Sequence, residues 1–311
     1  MTVIRHLLKS VVGKATTISA VNRVVDKLFR ARYHLPFPPT HYYSPLPDLP
    51  SVKRNLSRWY KQSESPGIDW NLPGQFKLAE DLAPYAGETQ SLPPFAQVTL
   101  DGYGPGYGEV EAQLLYIMLR HFKPARYIEV GSGVSTFYAL SALQVNRERD
   151  GVNSNMTCIE PYPNDKLREL VAGHRVRLRQ CEVQDSGLGA FQELSANDVL
   201  FIDSSHVSKK DSDVEFLYLE VLPRLRNGVV IHIHDMPFPM PAIPLEHPLF
   251  DMYLFWNEAP LVKAFLLFNS AFQVIQCQSQ LHHVKPEILK KLVPIYDPKT
   301  HFPSSLWLSV L

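Results

Sequence analysis

The stretch Arg126-Tyr127-Ile128-Glu129-Val130-Gly131-Ser132-Gly133-Val134-Ser135-Thr136 passes directly from a short apolar run into a helix start. Arg126 to Val130 has the length and the aromatic and β-branched content of a buried strand. Gly131 and Gly133 permit a tight turn and let a ligand approach the backbone, while Ser135 and Thr136 suit the first turn of a helix. The spacing is G-x-G without the third glycine of a dinucleotide fingerprint, because Thr136 stands in its place. Glu129, two residues before the first glycine, would repel a pyrophosphate but could accept hydrogen bonds from an ammonium group.

Working outward, the same texture recurs. Met156 to Glu160, Arg175 to Leu178, Val199 to Asp203 and Val229 to His234 are apolar runs of strand length, separated by helical segments at Thr136 to Leu143, Lys166 to Ala172 and Val214 to Leu225. This alternation predicts parallel strands joined by right-handed crossovers, hence an α/β, Rossmann-like doubly wound sheet. A C-terminal pair, Phe272 to Ile275 and Ser305 to Val310, is expected to finish it. Ligands of such sheets bind beyond the carboxyl ends of the strands, so the informative residues directly follow each strand. Glu160, at the tip of the second strand and 31 positions after Glu129, is placed to bridge ribose hydroxyls.

Upstream, Glu109 to Phe122 reads as a helix stopped by Pro124. Residues 1–95 read as an N-terminal helical and proline-rich extension, and 96–311 as the main domain. Within the extension, residues 1–32 repeat apolar positions at helical spacing and carry seven basic residues against one acidic. Such a segment could lie on an anionic membrane surface, or pack as a helix pair on the main domain or on a second subunit of a homo-oligomer. Prolines from Pro36 to Pro50 then enforce an extended linker carrying His41, Tyr42 and Tyr43, and short helices are expected around Leu56 to Tyr60 and Gly74 to Tyr85.

Composition narrows the function classes. The 311 residues include 31 Lys and Arg against 31 Asp and Glu, a balance that disfavours a nucleic-acid partner, which would call for a broad basic face. Three scattered cysteines, Cys158, Cys181 and Cys277, offer neither a disulfide framework nor a thiolate metal site and fit a reducing, cytoplasmic setting. No run is long and apolar enough for a membrane span, and Lys9 and Lys14 interrupt what would be the apolar part of a secretory signal.

The ordered runs IEVGSGVST, TCIEPYP, VQDSGLGAF, DVLFIDSSHVSKKDSDV and GVVIHIHDMPFP resemble the class I S-adenosylmethionine-dependent methyltransferases, closest to the branch called methyltransferase family 24. The resemblance covers about residues 100–280. It implies that Glu129, Gly131 and Gly133, with Ser135 at the helix start, face the methionine moiety of S-adenosyl-L-methionine, and that Glu160 binds its ribose. It further implies that Val183, Gln184 and Asp185 lie along the adenine and that Asp203 faces the methionine end and the reaction centre. Tyr107 to Glu111 would cover the cofactor, with Glu111 as a contact.

Methyl transfer from a sulfonium is an in-line displacement, so the protein must align the acceptor and remove its proton. Asp203-Ser204-Ser205-His206 follows the fourth strand and His232-Ile233-His234-Asp235 ends the fifth, so these groups should converge. Two mechanisms stay open on the residues alone. His206 or His234 is a general base, with Asp203 beside it; or Asp203, His234 and Asp235 hold a divalent metal that lowers the acceptor's pKa. The histidines depart from an all-acidic ligand pattern and would suit manganese or zinc better than magnesium. His232, alternating away from Asp235, can equally be a packed core residue. Trp256, Tyr253, Tyr42 and Tyr43 offer rings that could stack on a sugar.

The expected activity is O-methylation of a hydroxyl on a small molecule, a sugar or glycosylated metabolite before a protein. Alternatives are an N-methyltransferase, a non-catalytic membrane-surface or scaffold module, and a nicotinamide-dependent oxidoreductase, the last disfavoured by Thr136 and Glu129.

Overall fold

The computed structural model describes residues 15–34, 37–38, 41–241 and 243–311. The expectations for residues 1–14 lie outside these. The chain divides into two compact units that meet between Trp59 and Tyr60. The first holds the helices Ala15–Tyr33, Leu49–Arg54 and Leu56–Trp59. Within it, His41 stacks on Phe37 at 4.4 Å between ring centroids and Tyr42 sits 4.0 Å from Tyr43, so these aromatics pack on one another.

The second unit is built on a seven-stranded sheet: β1 Arg126–Val130, β2 Asn155–Ile159, β3 Arg177–Arg179, β4 Val199–Ile202, β5 Val230–Ile233, β6 Phe272–Cys277 and β7 Leu306–Val310. Their order is β3-β2-β1-β4-β5-β7-β6. β1 to β5 are parallel, and β7 runs antiparallel between β5 and β6. The sheet is therefore doubly wound, with its chain reversal between β1 and β4, and the predicted C-terminal pair closes it. The contact boundary falls at residue 59 and not at 95, because the helix Leu72–Leu82 packs on β6 and on the helix Glu109–Phe122.

Both faces of the sheet are buried, and alternate residues serve opposite cores. Tyr127, Cys158, Phe201 and Trp307 join the layer holding the helices Glu109–Phe122 and Val134–Asp150. Ile128, Val130, Leu200, Ile202 and Ile233 join the layer on the other side. Glu109–Phe122 is buried almost all round, as a helix inside a large domain must be. Acids in its first turn and Arg120 and His121 in its last match the helix dipole, and Lys123 ends it in a left-handed conformation.

Val134–Asp150 starts where Thr136 Oγ1 accepts the Gly133 N–H at 3.0 Å and stops at left-handed Gly151. The helix expected from Val214 to Leu225 is present as one continuous helical run made of Asp213–Phe216, Leu217–Val221 and Leu222–Arg224, wound more widely in its middle and more tightly at its end, where Pro223 lies.

Candidate active site

The strand tips form one wall of a cleft of about 490 Å3 lined by Gly131, Glu160, Tyr162, Val183, Gln184 and Asp203, among others. At Gly131, φ is +104° and an added Cβ would lie 2.7 Å from the Asp203 carbonyl oxygen, so only glycine fits between β1 and β4. Glu129 is fully buried beneath this turn. Its Oε1 accepts Ser135 Oγ at 2.5 Å and Thr136 Oγ1 at 3.1 Å, whereas Oε2 is buried with no partner. Burial pushes its carboxyl up to about 8, against the two hydroxyl hydrogen bonds and with the help of the nearby Asp203 and Glu160 charges.

Glu160 projects into the cleft, with Oε2 accepting Ser132 Oγ at 3.1 Å and Oε1 accepting the Tyr162 N–H at 2.8 Å. Gln184 also lines it and keeps a buried, unpartnered Oε1. Among the expected cofactor residues, Asp185 is exposed and outside the cleft lining, Ser135 acts on Glu129, and neither Gly133 nor Glu111 lines the cleft. A buried carboxylate oxygen without a donor, a second orphaned acceptor and a glycine-only turn fit a ligand with an ammonium group and a nucleoside end.

At the tips of β4 and β5 the expected cluster assembles. His234 Nδ1 lies 3.2 Å from Asp203 Oδ1 and 3.5 Å from Asp235 Oδ2, and its Nε2 lies 3.3 Å from Glu111 Oε2. His206 Nε2 lies 3.6 Å from Asp203 Oδ1 and from Asp235 Oδ2. Donor atoms of Asp203, His206 and His234 all fall within 4.8 Å of one another, a spacing a metal ion can bridge. His206 and Asp235 both have left-handed backbone, at φ +60° and +54°, a strain that non-glycine residues keep only where their surroundings fix it.

Burial opposes the charged form of both imidazoles, but the carboxylates outweigh it. Hydrogen bonds to Asp203 and Glu258 and the Asp235 charge hold His206 up to about 10. The fields of Asp235, Glu111 and Asp203 raise His234 well above its usual range. Burial likewise works to raise Asp203, yet His234 and His206 hold it well below the usual carboxylate range. Each imidazole is clamped between acids, which favour its charged form.

His232 is no part of the cluster. Its ring is sandwiched between Phe201 at 4.3 Å and Trp307 at 4.0 Å, and burial keeps it neutral.

A second cavity, of about 340 Å3, is lined by His234 and Asp235 together with Tyr107, Glu111, Tyr253 and Phe302. Glu111 therefore borders this cavity and not the nucleotide cleft. Its Oε1 accepts the Ser304 N–H at 3.1 Å and Ser305 Oγ at 2.7 Å. Asp235 Oδ1 accepts Tyr253 OH and Ser304 Oγ, each at 3.1 Å. Sequence reading missed Ser304, Ser305 and Glu258, which reach the site from the segment just before β7 and from the helix Glu258–Leu266 with no local motif to mark them. Trp256 lies against His206 at 4.5 Å, and Tyr253 against Trp256 at 4.7 Å.

Residues 128–236 match the family described as Methyltransferase domain, the family-24 group. An uncharacterised protein of Archaeoglobus fulgidus is 30% identical over 185 residues, covering 57% of this chain and 79% of that protein. Among solved structures, the O-methyltransferase TomG of Streptomyces achromogenes, in complex with S-adenosylmethionine, is 15% identical at a TM-score of 0.43, covering 84% of this chain and 96% of that one. An O-methyltransferase of Bacillus cereus is 13% identical at a TM-score of 0.39, covering 78% and 98%. The matched domain runs from β1 to just past β5, the stretch that supplies Glu129, Gly131, Glu160, Asp203 and His234. The chain belongs to the class I S-adenosylmethionine-dependent methyltransferases, in the family-24 branch.

Proposed function

We propose that the protein methylates a hydroxyl group of an uncharged small molecule, a saccharide or glycosylated metabolite, with S-adenosyl-L-methionine as donor and assistance from a divalent cation. The observation that carries this reading is the meeting of the two cavities. Asp203 lines the nucleotide cleft, His234 and Asp235 line the second cavity, and Asp203 and His234 touch at 3.2 Å. Donor and acceptor entering from the two sides would face each other across this pair, which supplies the alignment a displacement requires. Both volumes fall in the range of about 300–1,000 Å3 usual for small-molecule sites.

The residues take distinct roles. Glu129 Oε2 receives the cofactor's ammonium group and Glu160 the ribose hydroxyls, while Gln184 and Val183 border the adenine. The sulfonium supplies an electrophilic methyl whose carbon–sulfur bond breaks as the acceptor oxygen bonds to it. Asp203, His234 and Asp235 would hold the cation, whose positive charge would favour loss of the acceptor proton to solvent water. Glu111 keeps His234 turned toward Asp203. Tyr107, Tyr253 and Phe302 offer ring faces and the acids offer acceptors, the combination a sugar uses. The described lining residues include neither lysine nor arginine, so a phosphate or carboxylate on the acceptor would find no long cationic side chain there.

The test is transfer of isotopically labelled methyl from S-adenosylmethionine to a panel of neutral saccharides and glycosides, with manganese, zinc or magnesium. Wild type is expected to label at least one neutral hydroxyl acceptor, and Asp203→Ala to lose turnover while still binding S-adenosylhomocysteine. Full activity in Asp203→Ala, or labelling confined to amines, overturns the reading.

A further inference from the structure

We infer that His206, held in place by Glu258, is a ligand of the cation site, completing a set of two imidazoles and two carboxylates that selects a first-row transition ion over magnesium. This rests on the cation-assisted reading of the same cluster and assigns it a further ligand, His206, and a positioning residue, Glu258.

The donor separations are the first argument. Around the ring Asp203 Oδ1, His234 Nδ1, Asp235 Oδ2 and His206 Nε2, neighbouring donors lie 3.2, 3.5, 3.6 and 3.6 Å apart. Asp203, His206 and His234 place their donor atoms all within 4.8 Å of one another, and Asp235 reaches both imidazoles from the second cavity. Magnesium prefers oxygen, whereas imidazole nitrogen suits zinc, cobalt and their neighbours.

The second argument is the support behind His206. Glu258, 1% exposed, places Oε2 2.7 Å from His206 Nδ1. Its Oε1 accepts Tyr218 OH at 2.6 Å and Ser204 Oγ at 3.5 Å, so the carboxylate itself cannot turn away. The backbone N–H groups of Asn257 and Glu258 both donate to the His206 carbonyl, at 3.0 and 3.1 Å, and fix the left-handed turn. With Nδ1 engaged by Glu258, Nε2 is the nitrogen presented to Asp203 and Asp235. A carboxylate on the far nitrogen of a ligating imidazole is the usual way a protein sets its tautomer and direction. Glu258 lies beyond the matched domain, 52 residues after His206, so this feature belongs to the chain's own C-terminal part.

The test uses the full chain, stripped with chelator, and four metals alone: Co2+, Zn2+, Mn2+ and Mg2+. Calorimetry gives affinities, and visible absorption of the Co2+ form reports coordination. One Co2+ or Zn2+ is expected per chain, with Mg2+ at least 100-fold weaker. Glu258→Gln, nearly isosteric, is expected to weaken Co2+ binding about 10–100-fold. His206→Gln is expected to weaken Co2+ binding and to change the visible spectrum of the Co2+ form. Retained S-adenosylhomocysteine binding certifies that each variant is folded, and Glu258→Asp should recover part of the affinity.

Co2+ affinity and spectrum unchanged in His206→Gln, but lost in Asp235→Asn, would overturn the assignment of His206 and leave the cation site standing. Mg2+ binding as tightly as Co2+ would overturn the selectivity. No binding of any of the four metals would overturn the cation-assisted reading itself.

Discussion

Replacing Gly131 with alanine would put a Cβ 2.7 Å from the Asp203 carbonyl oxygen at a φ of +104°, whereas at Gly133 the added carbon would meet nothing closer than 3.5 Å on extended backbone. The two glycines are equivalent as letters in G-x-G but not in space. Gly131→Ala is expected to cost about 1–3 kcal/mol or more and Gly133→Ala roughly 1 kcal/mol or less, as measured by urea unfolding. Equal costs would contradict the geometry. Glu129 makes a second prediction at this scale. Its carboxyl, about 8 in the folded chain against about 4.3 unfolded, is protonated at pH 7. A raised folded value means that its contribution to stability is complete below the unfolded value and is lost as pH rises toward 8. An ammonium ligand on Oε2 favours the carboxylate, so binding S-adenosylhomocysteine at pH 7 should release a proton. Calorimetry in buffers of different ionisation enthalpy should show this in wild type and not in Glu129→Gln.

Among the elements, the helices Glu109–Phe122 and Val134–Asp150 are joined by one buried cation. Arg120, 3% exposed, bonds Glu88 and Asp150 at 2.7 Å each and also donates to Asn146. Arg120→Met would remove these bonds while Arg149 and Tyr116 still reach Glu88 and Lys123 still reaches Asp150, and is expected to cost about 1–3 kcal/mol, read from the unfolding midpoint; a change below about 0.5 kcal/mol would contradict it. Burial tends to raise Glu88, but the hydrogen bond from Arg120 leads the effects that bring its net pKa below the usual range. Its share of that stability is therefore present above about pH 4.3 and lost as acid protonates it. The strands were legible because both faces are buried and each run ends at a turn signal: Arg126–Val130 was read to the residue, and the other strands to within two residues. Glu129, Glu160, Asp203 and His234 were legible for the same reason, since ligand-facing residues follow strand tips. Ser304, Ser305 and Glu258 were not, because the segment entering β7 and the segment after β5 bring them in from far along the chain. No local pattern encodes that approach. His206 was legible as a chemical group, but its clamping by Glu258 and Asp235 was not.

For the whole molecule, the reversal in strand order between β1 and β4 sets the nucleotide cleft, and the insertion of β7 beside β5 sets the second cavity by carrying Ser304 and Ser305 to Glu111 and Asp235. No helix of the described residues is long and apolar enough to cross a membrane. The account stands or falls on what fills the first cleft. The most direct measurement is calorimetric titration of the full chain with S-adenosylhomocysteine, with NAD as control, in wild type and Glu160→Ala. Saturable binding in wild type is predicted, lost in Glu160→Ala and absent for NAD, with a stabilisation of about 2.7 kcal/mol at 100 times the dissociation constant. No binding, or binding indifferent to Glu160, would contradict it.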